Sequence, residues 1–151
     1  MLRPSKKLLF AIEAVLDIAY HAGGEPVQSR EITRRQGIPR RYLEQTLQHL
    51  VRSGILVGVR GPKGGYRLAR ERRRVTVGEI VRVVHAMEAP EDPYKDLPGS
   101  PLGLTVVRPM WAELQEDLMQ RLDSVTIDEL CTKAYQGGLR SEAHEAMDFT
   151  I

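Results

Sequence analysis

Between residues 54 and 68 the apolar period of this chain changes from that of a helix to that of a strand, and this switch limits the possible folds more than any other feature. Before it, three segments carry helical stripes. Residues 6–22 place Leu8, Leu9, Ile12, Val15, Leu16 and Ala19 at i, i+3, i+4 and i+7 spacings, and Gly23-Gly24 stops them. After the link Pro26-Val27-Gln28, Ser29 is suited to cap a second helix running to Gln36, with Glu31 favourable in its first turn. Gly37 ends that helix, Ile38 packs into the turn, and Pro39 suits the start of a third helix over about 39–53. Tyr42, Leu43, Leu47 and Leu50 face inward along it, leaving Arg40, Arg41, Glu44, Gln45 and Gln48 outward. Past Gly54 the pattern becomes Leu56-Val57-Gly58-Val59-Arg60, then the turn-rich Gly61-Pro62-Lys63-Gly64-Gly65, then Tyr66-Arg67-Leu68, which reads as a β-hairpin.

The rest of the chain is again helical. Arg70 to Arg74 form a charged connector, and Thr76-Val77-Gly78-Glu79 has the spacing of a capping box opening a helix to about Met87. Residues 88–103, with four prolines and two glycines, are a linker. A long helix is expected from Leu104 to Asp123 with Trp111, Leu114, Leu118 and Leu122 as an apolar seam, and Pro109 must lie in its first turn or kink it. Thr126-Ile127-Asp128-Glu129 opens a short helix to Gln136, and residues 137–151 are expected to form a loose tail.

Three short helices followed by a two-stranded ribbon is the order of a winged helix-turn-helix, with the second and third helices joined by a short Gly-containing turn. In that motif the third helix enters the DNA major groove, where every base pair shows its own pattern of donors and acceptors. Arg41, Glu44 and Gln45 are therefore the candidate base readers. Arg40, with Arg60 and Lys63 of the wing, are candidate contacts to the backbone or minor groove. Charge distribution agrees. Residues 1–85 hold 17 Lys/Arg and 7 Asp/Glu, whereas residues 86–151 hold 5 and 13, so a net charge of +2 conceals halves of +10 and −8.

The ordered stretches Ala14-Val15-Leu16-Asp17-Ile18-Ala19, Gln36-Gly37-Ile38, Tyr42-Leu43-Glu44-Gln45, Gly54-Ile55-Leu56, Val59-Arg60-Gly61-Pro62-Lys63-Gly64-Gly65-Tyr66-Arg67-Leu68 and Val77-Gly78-Glu79-Ile80 resemble the Rrf2 family of bacterial transcription regulators. The resemblance covers residues 1–87 and, more loosely, the chain to about 135. It implies a mainly α fold with a winged helix-turn-helix domain over 1–87, a two-stranded β-wing, and dimerisation helices over 104–136. It further implies a homodimer reading a pseudo-palindromic operator in double-stranded DNA, with Arg41, Glu44 and Gln45 on base edges and Arg60 in the minor groove. Tyr42, Leu43 and Tyr66 are expected to pack. The family expectation is a repressor.

Many members of that family hold an iron–sulfur cluster on three cysteines in the linker. Here the linker has Glu91, Asp92, Pro93, Tyr94, Lys95 and Asp96, and no cysteine. Carboxylates are hard ligands and poor substitutes for thiolate, so no cluster of that kind is expected and the effector is unidentified. Cys131, the one cysteine, is a possible redox thiol, but its spacing after Ile127 and Leu130 is that of a small buried hydrophobe. Glu142, His144 and Glu145 read as a solvated tail rather than a metal site. No P-loop or catalytic constellation appears, so no enzyme is expected. Glu13 and Asp17 interrupt the apolar N-terminal stretch, and no apolar run approaches a membrane span, so a cytoplasmic location is expected. Two alternatives to the simple regulator are one controlled by docking a partner protein or metabolic enzyme, and a basic RNA-binding adaptor.

Overall fold

The computed structural model describes residues 2–88, 92 and 94–143. Helices α1 (Lys6–His21), α2 (Ser29–Gln36) and α3 (Arg40–Arg52) come first. Strands β1 (Leu56–Val59) and β2 (Gly65–Leu68) follow, then α4 (Val77–Glu88), α5 (Arg108–Asp123) and α6 (Ile127–Gln136). The start of α1 is fixed by Ser5, whose hydroxyl accepts from the Leu8 N–H at 3.1 Å. Its inner face, Ala11, Ala14, Val15 and Ile18, is fully buried. Gln28, rather than Ser29, is the capping residue of α2: the Gln28 N–H donates to the Glu31 carboxylate at 2.8 Å, and Ser29 is the first helical residue. Gly37 closes α2 at φ +65°, a left-handed conformation that costs glycine little. Ile32, Ile38, Leu43, Leu47 and Leu50 then meet the α1 face in one core.

The two strands pair antiparallel, Leu56 opposite Leu68 and Val59 opposite Gly65. Val27, expected in a plain link, adds a third edge to the ribbon: its N–H and carbonyl exchange 2.8 Å hydrogen bonds with Tyr66. A Cβ at Gly65 would strike the Val27 carbonyl, so glycine is required for this approach. The capping box at α4 forms as expected, with Thr76 Oγ1 accepting from the Glu79 N–H at 3.3 Å and the Thr76 N–H donating back to the Glu79 carboxylate at 3.2 Å.

Three departures from the sequence reading concern the C-terminal half. The long helix does not run as one α-helix from Leu104. A π-helical turn at Gly103–Val107 precedes α5, and the Arg108 N–H reaches back to the Gly103 carbonyl. That wider turn lets Pro109, which has no N–H to donate, sit in the first turn of α5. Next, α6 joins the N-terminal core through Ile127 and Cys131. It is clamped there by Val77 N–H to Val125 O and Ile127 N–H to Val75 O, both 2.9 Å. Finally, Leu139–Ala143 is not loose. Ser141 is buried, its hydroxyl donating to the Tyr20 carbonyl at 2.7 Å, while the Tyr20 hydroxyl donates to Leu139 O at 2.5 Å. By contrast, α5 has no buried residue at all, and Met110, Leu114 and Leu118 are about half exposed.

Candidate nucleic-acid interface

The first turn of α3 stands at the surface because Leu43, Leu47 and Leu50 hold its opposite face in the core. Arg41 and Gln45 are exposed. Glu44 is exposed too, but its carboxylate pairs with Arg40 across one helical turn at 2.9 Å. Both side chains are largely solvated, so the pair is weak and can open to a better partner. Leu43 packs as expected. Tyr42 does so only in part: it is 37% exposed, with Lys7 Nζ 5.8 Å from its ring centroid and the Phe10 ring 6.5 Å away.

Arg40 also lines a cleft of about 560 Å³ that brings together three elements. Its walls are the first turn of α2 (Gln28, Ser29, Arg30, Thr33), Arg40 of α3, and the wing residues Gly61, Pro62, Gly64, Gly65 and Tyr66. The Gln28 side-chain amide donates to Pro62 O at 3.4 Å across it. Arg30 and Arg40 bring two cations to this cleft beside the start of α2, where Glu31 already accepts from the Gln28 N–H. Ser29, Arg30 and Thr33 line this candidate cleft, and the sequence reading does not find them. Ser29 and Arg30 at a helix start is the available signal, but the cleft exists only once the wing is folded against it. Arg60 and Lys63 are exposed on the wing outside the cleft lining.

Behind this surface, α2 is held by a buried charge. Asp17 of α1 is fully enclosed and accepts from Arg35 Nε and Nη2 at 2.9 and 2.8 Å and from the Gln36 amide at 2.8 Å. The Asp17 hydrogen bond holds the Arg35 guanidinium above its ordinary range. Glu142 of the C-terminal segment completes the network, pairing with Arg35 at 2.6 Å and Arg34 at 3.0 Å. Burial raises the Glu142 carboxyl, but the Arg34 hydrogen bond and the Arg35 charge outweigh it and bring it below the usual range. The Glu142 N–H donates to His21 Nδ1 at 3.1 Å, and burial, then the Arg35 charge, lowers the imidazole's pKa. His144 and Glu145, considered above with Glu142, lie outside the described residues.

Cys131 does not line the cleft. It is 2% exposed, and burial pushes its thiol up, against the smaller opposing effect of Arg72, which pairs with Asp128 at 2.7 Å. Among the described residues no group of three His, Cys, Asp or Glu side chains is arranged to hold a metal. One cysteine, buried among apolar residues, does not fit a thiolate-held cluster. Among the described residues no helix is long and apolar enough to cross a membrane.

Comparison with known proteins shows the family to which the chain belongs. Residues 4–133 match the family model Rrf2, described as an iron-dependent transcriptional regulator. The protein rrf2 of Nitratidesulfovibrio vulgaris is 31% identical over 126 residues, covering 83% of this chain and 84% of that protein. The HTH-type transcriptional regulator IscR of Xenorhabdus nematophila is 35% identical over 131 residues, covering 85% and 79%. Among solved structures, T. potens IscR superposes with a TM-score of 0.73 at 32% identity, covering 93% of each chain. The IscR relative is named as a transcriptional regulator rather than an enzyme, and the T. potens IscR structure shares the fold described above. The chain belongs to the Rrf2 family of winged helix-turn-helix transcriptional regulators.

Proposed function

We propose that this chain acts in the cytoplasm as a homodimeric, sequence-specific DNA-binding repressor that works without an iron–sulfur cluster. The observation that carries the reading is the cleft in which the start of α2, Arg40 of α3 and the wing converge. A phosphate seated there would fix the register of the duplex, bringing Arg41, Glu44 and Gln45 to base edges in the major groove and Arg60 to the adjacent minor groove. Lys63 contributes charge to the backbone. Glu44 exchanges its Arg40 partner for a cytosine amino group, and Arg40 is released toward phosphate.

Dimerisation is supported by α5. A helix of sixteen residues with none buried and with Met110, Leu114 and Leu118 half exposed gains most by packing against a second copy. Two-fold symmetry then requires two half-sites about 34 Å apart or a multiple of it. The cluster-free reading rests on the donor set, since Cys131 is the only thiol and is buried. The test is selection of duplexes bound by the full chain from a randomised pool. The selected sequences should converge on an inverted repeat. Convergence on a single unrepeated half-site would contradict the dimer. Equal retention of single-stranded RNA would favour an RNA adaptor.

A further inference from the structure

The linker and α5 border a half-open cavity of about 360 Å³ that lies outside the candidate nucleic-acid interface. Tyr94 and Leu97 of the linker form one wall, and Val107, Arg108, Trp111 and Gln115 form the other. The Arg108 guanidinium lies 5.4 Å from the Tyr94 ring centroid and donates to the Leu97 carbonyl at 3.4 Å. Arg108 lies against the Tyr94 ring and the Leu97 carbonyl, and among the described residues it forms no ion pair. Trp111 is half buried beside it.

We propose that this cavity binds a small planar aromatic carboxylate, its ring against Trp111 and its carboxylate on Arg108. The chemistry selects the class. A cation in an otherwise apolar lining favours a ligand carrying one negative charge, because a neutral apolar ligand would desolvate the guanidinium without replacing its water. One guanidinium and one amide, Gln115, offer too few donors for a polyphosphate. The volume falls at the lower end of the range for small-molecule sites, roughly 300–1,000 Å³, which suits one or two fused rings. The Tyr94 and Trp111 faces supply stacking.

The cavity joins the linker to α5, and the far end of α5 reaches the DNA-binding domain. Asp123 pairs with Arg82 of α4 at 2.7 Å, and a Cβ at Gly78 of α4 would collide with Asp123. Filling the cavity therefore fixes the linker against a helix that abuts α4. The binding site stands independently of DNA recognition, whereas control of operator affinity by its occupant rests on the regulator reading above.

Trp111 is the chain's one tryptophan, so its emission reports occupancy directly. The experiment titrates the full chain with benzoate, with benzamide and cyclohexanecarboxylate as comparators, and repeats the titration by calorimetry. Saturable binding of benzoate is expected, with benzamide at least about tenfold weaker through loss of the charge-assisted bond, and cyclohexanecarboxylate weaker through loss of stacking. Arg108→Gln should raise the benzoate midpoint by about tenfold or more, and Ala112→Leu, which fills the cavity from an exposed position of α5, should abolish binding. No saturable benzoate binding by either method would overturn the site, as would an unchanged midpoint in Arg108→Gln or equal affinity for benzamide. A parallel arm measures duplex binding with and without saturating benzoate. Unaltered duplex affinity would overturn the coupling alone, and benzoate binding by a protein that binds no duplex would overturn the regulator reading alone.

Discussion

Individual side chains serve different ends according to their surroundings. Arg35 and Arg41 lie six positions apart, yet Arg35 is nearly buried against Asp17 while Arg41 is exposed on α3. Replacing Asp17 by Ala would leave the Arg35 charge buried with only the partly exposed Glu142 to answer it. Such a loss destabilises by about 3–5 kcal/mol, readable as a shift in the urea midpoint. His21 gives a pH signature. Its pKa is lowered from 6.5 by burial and then by Arg35, so the unfolded chain takes up a proton before the folded one. Stability from this group is therefore full above pH 6.5 and lost as pH falls below it toward the folded pKa. The melting temperature of wild type should fall more than that of His21→Gln between about pH 7.5 and 5.5, and parallel curves would contradict this. Cys131, buried with a raised pKa, should react slowly with iodoacetamide in the native state, and Cys131→Ser should retain duplex binding. An oxidant response in duplex binding that disappears in Cys131→Ser would contradict the packing role.

At the scale of elements, helices and hairpin were legible because period and punctuation agree: Gly37, Gly54 and Thr76 sit at the ends expected of them. What escaped the sequence depends on distant partners. Val27 becomes part of the ribbon only because Gly65 lets its carbonyl approach, and no local pattern announces that pairing. Gly65→Ala should therefore detach Val27 and loosen the phosphate cleft, weakening duplex binding on operator and scrambled sequence alike. The hydrogen bonds of Leu139–Ala143 to α1 and α2 were equally silent, since Ser141 and Glu142 look like solvated polar residues until Tyr20 and Arg35 are beside them. The exposure of Arg41, Glu44 and Gln45 on α3 was legible from helix amphipathicity, but the Arg40–Glu44 pair and the contribution of Ser29 and Arg30 to the cleft required the folded geometry. For α5, Leu114→Asp with Leu118→Asp should leave the N-terminal domain folded, because neither side chain is buried in its own chain, and should shift the mass seen by light scattering to that of a monomer. A double variant that stays dimeric would place the interface elsewhere.

The whole molecule divides its charge between a basic N-terminal half and an acidic C-terminal half, with α6 and the 139–143 segment tying the two together. Dimerisation through α5 would set two reading ends at a fixed spacing, so specificity becomes a property of the pair. The central claim is that α3 reads sequence while the wing and cleft hold the backbone. The direct measurement compares Arg41→Ala, Gln45→Ala and Lys63→Ala on a selected operator and on a scrambled duplex across a range of salt concentrations. A good bidentate base contact contributes about 1–3 kcal/mol of discrimination, so the two α3 variants should lose affinity for the operator while binding the scrambled duplex nearly as before. Lys63→Ala should weaken both duplexes equally and reduce the salt slope by about 0.9 for each phosphate it no longer neutralises. Equal weakening on operator and scrambled duplex for both Arg41→Ala and Gln45→Ala would show that α3 does not read sequence.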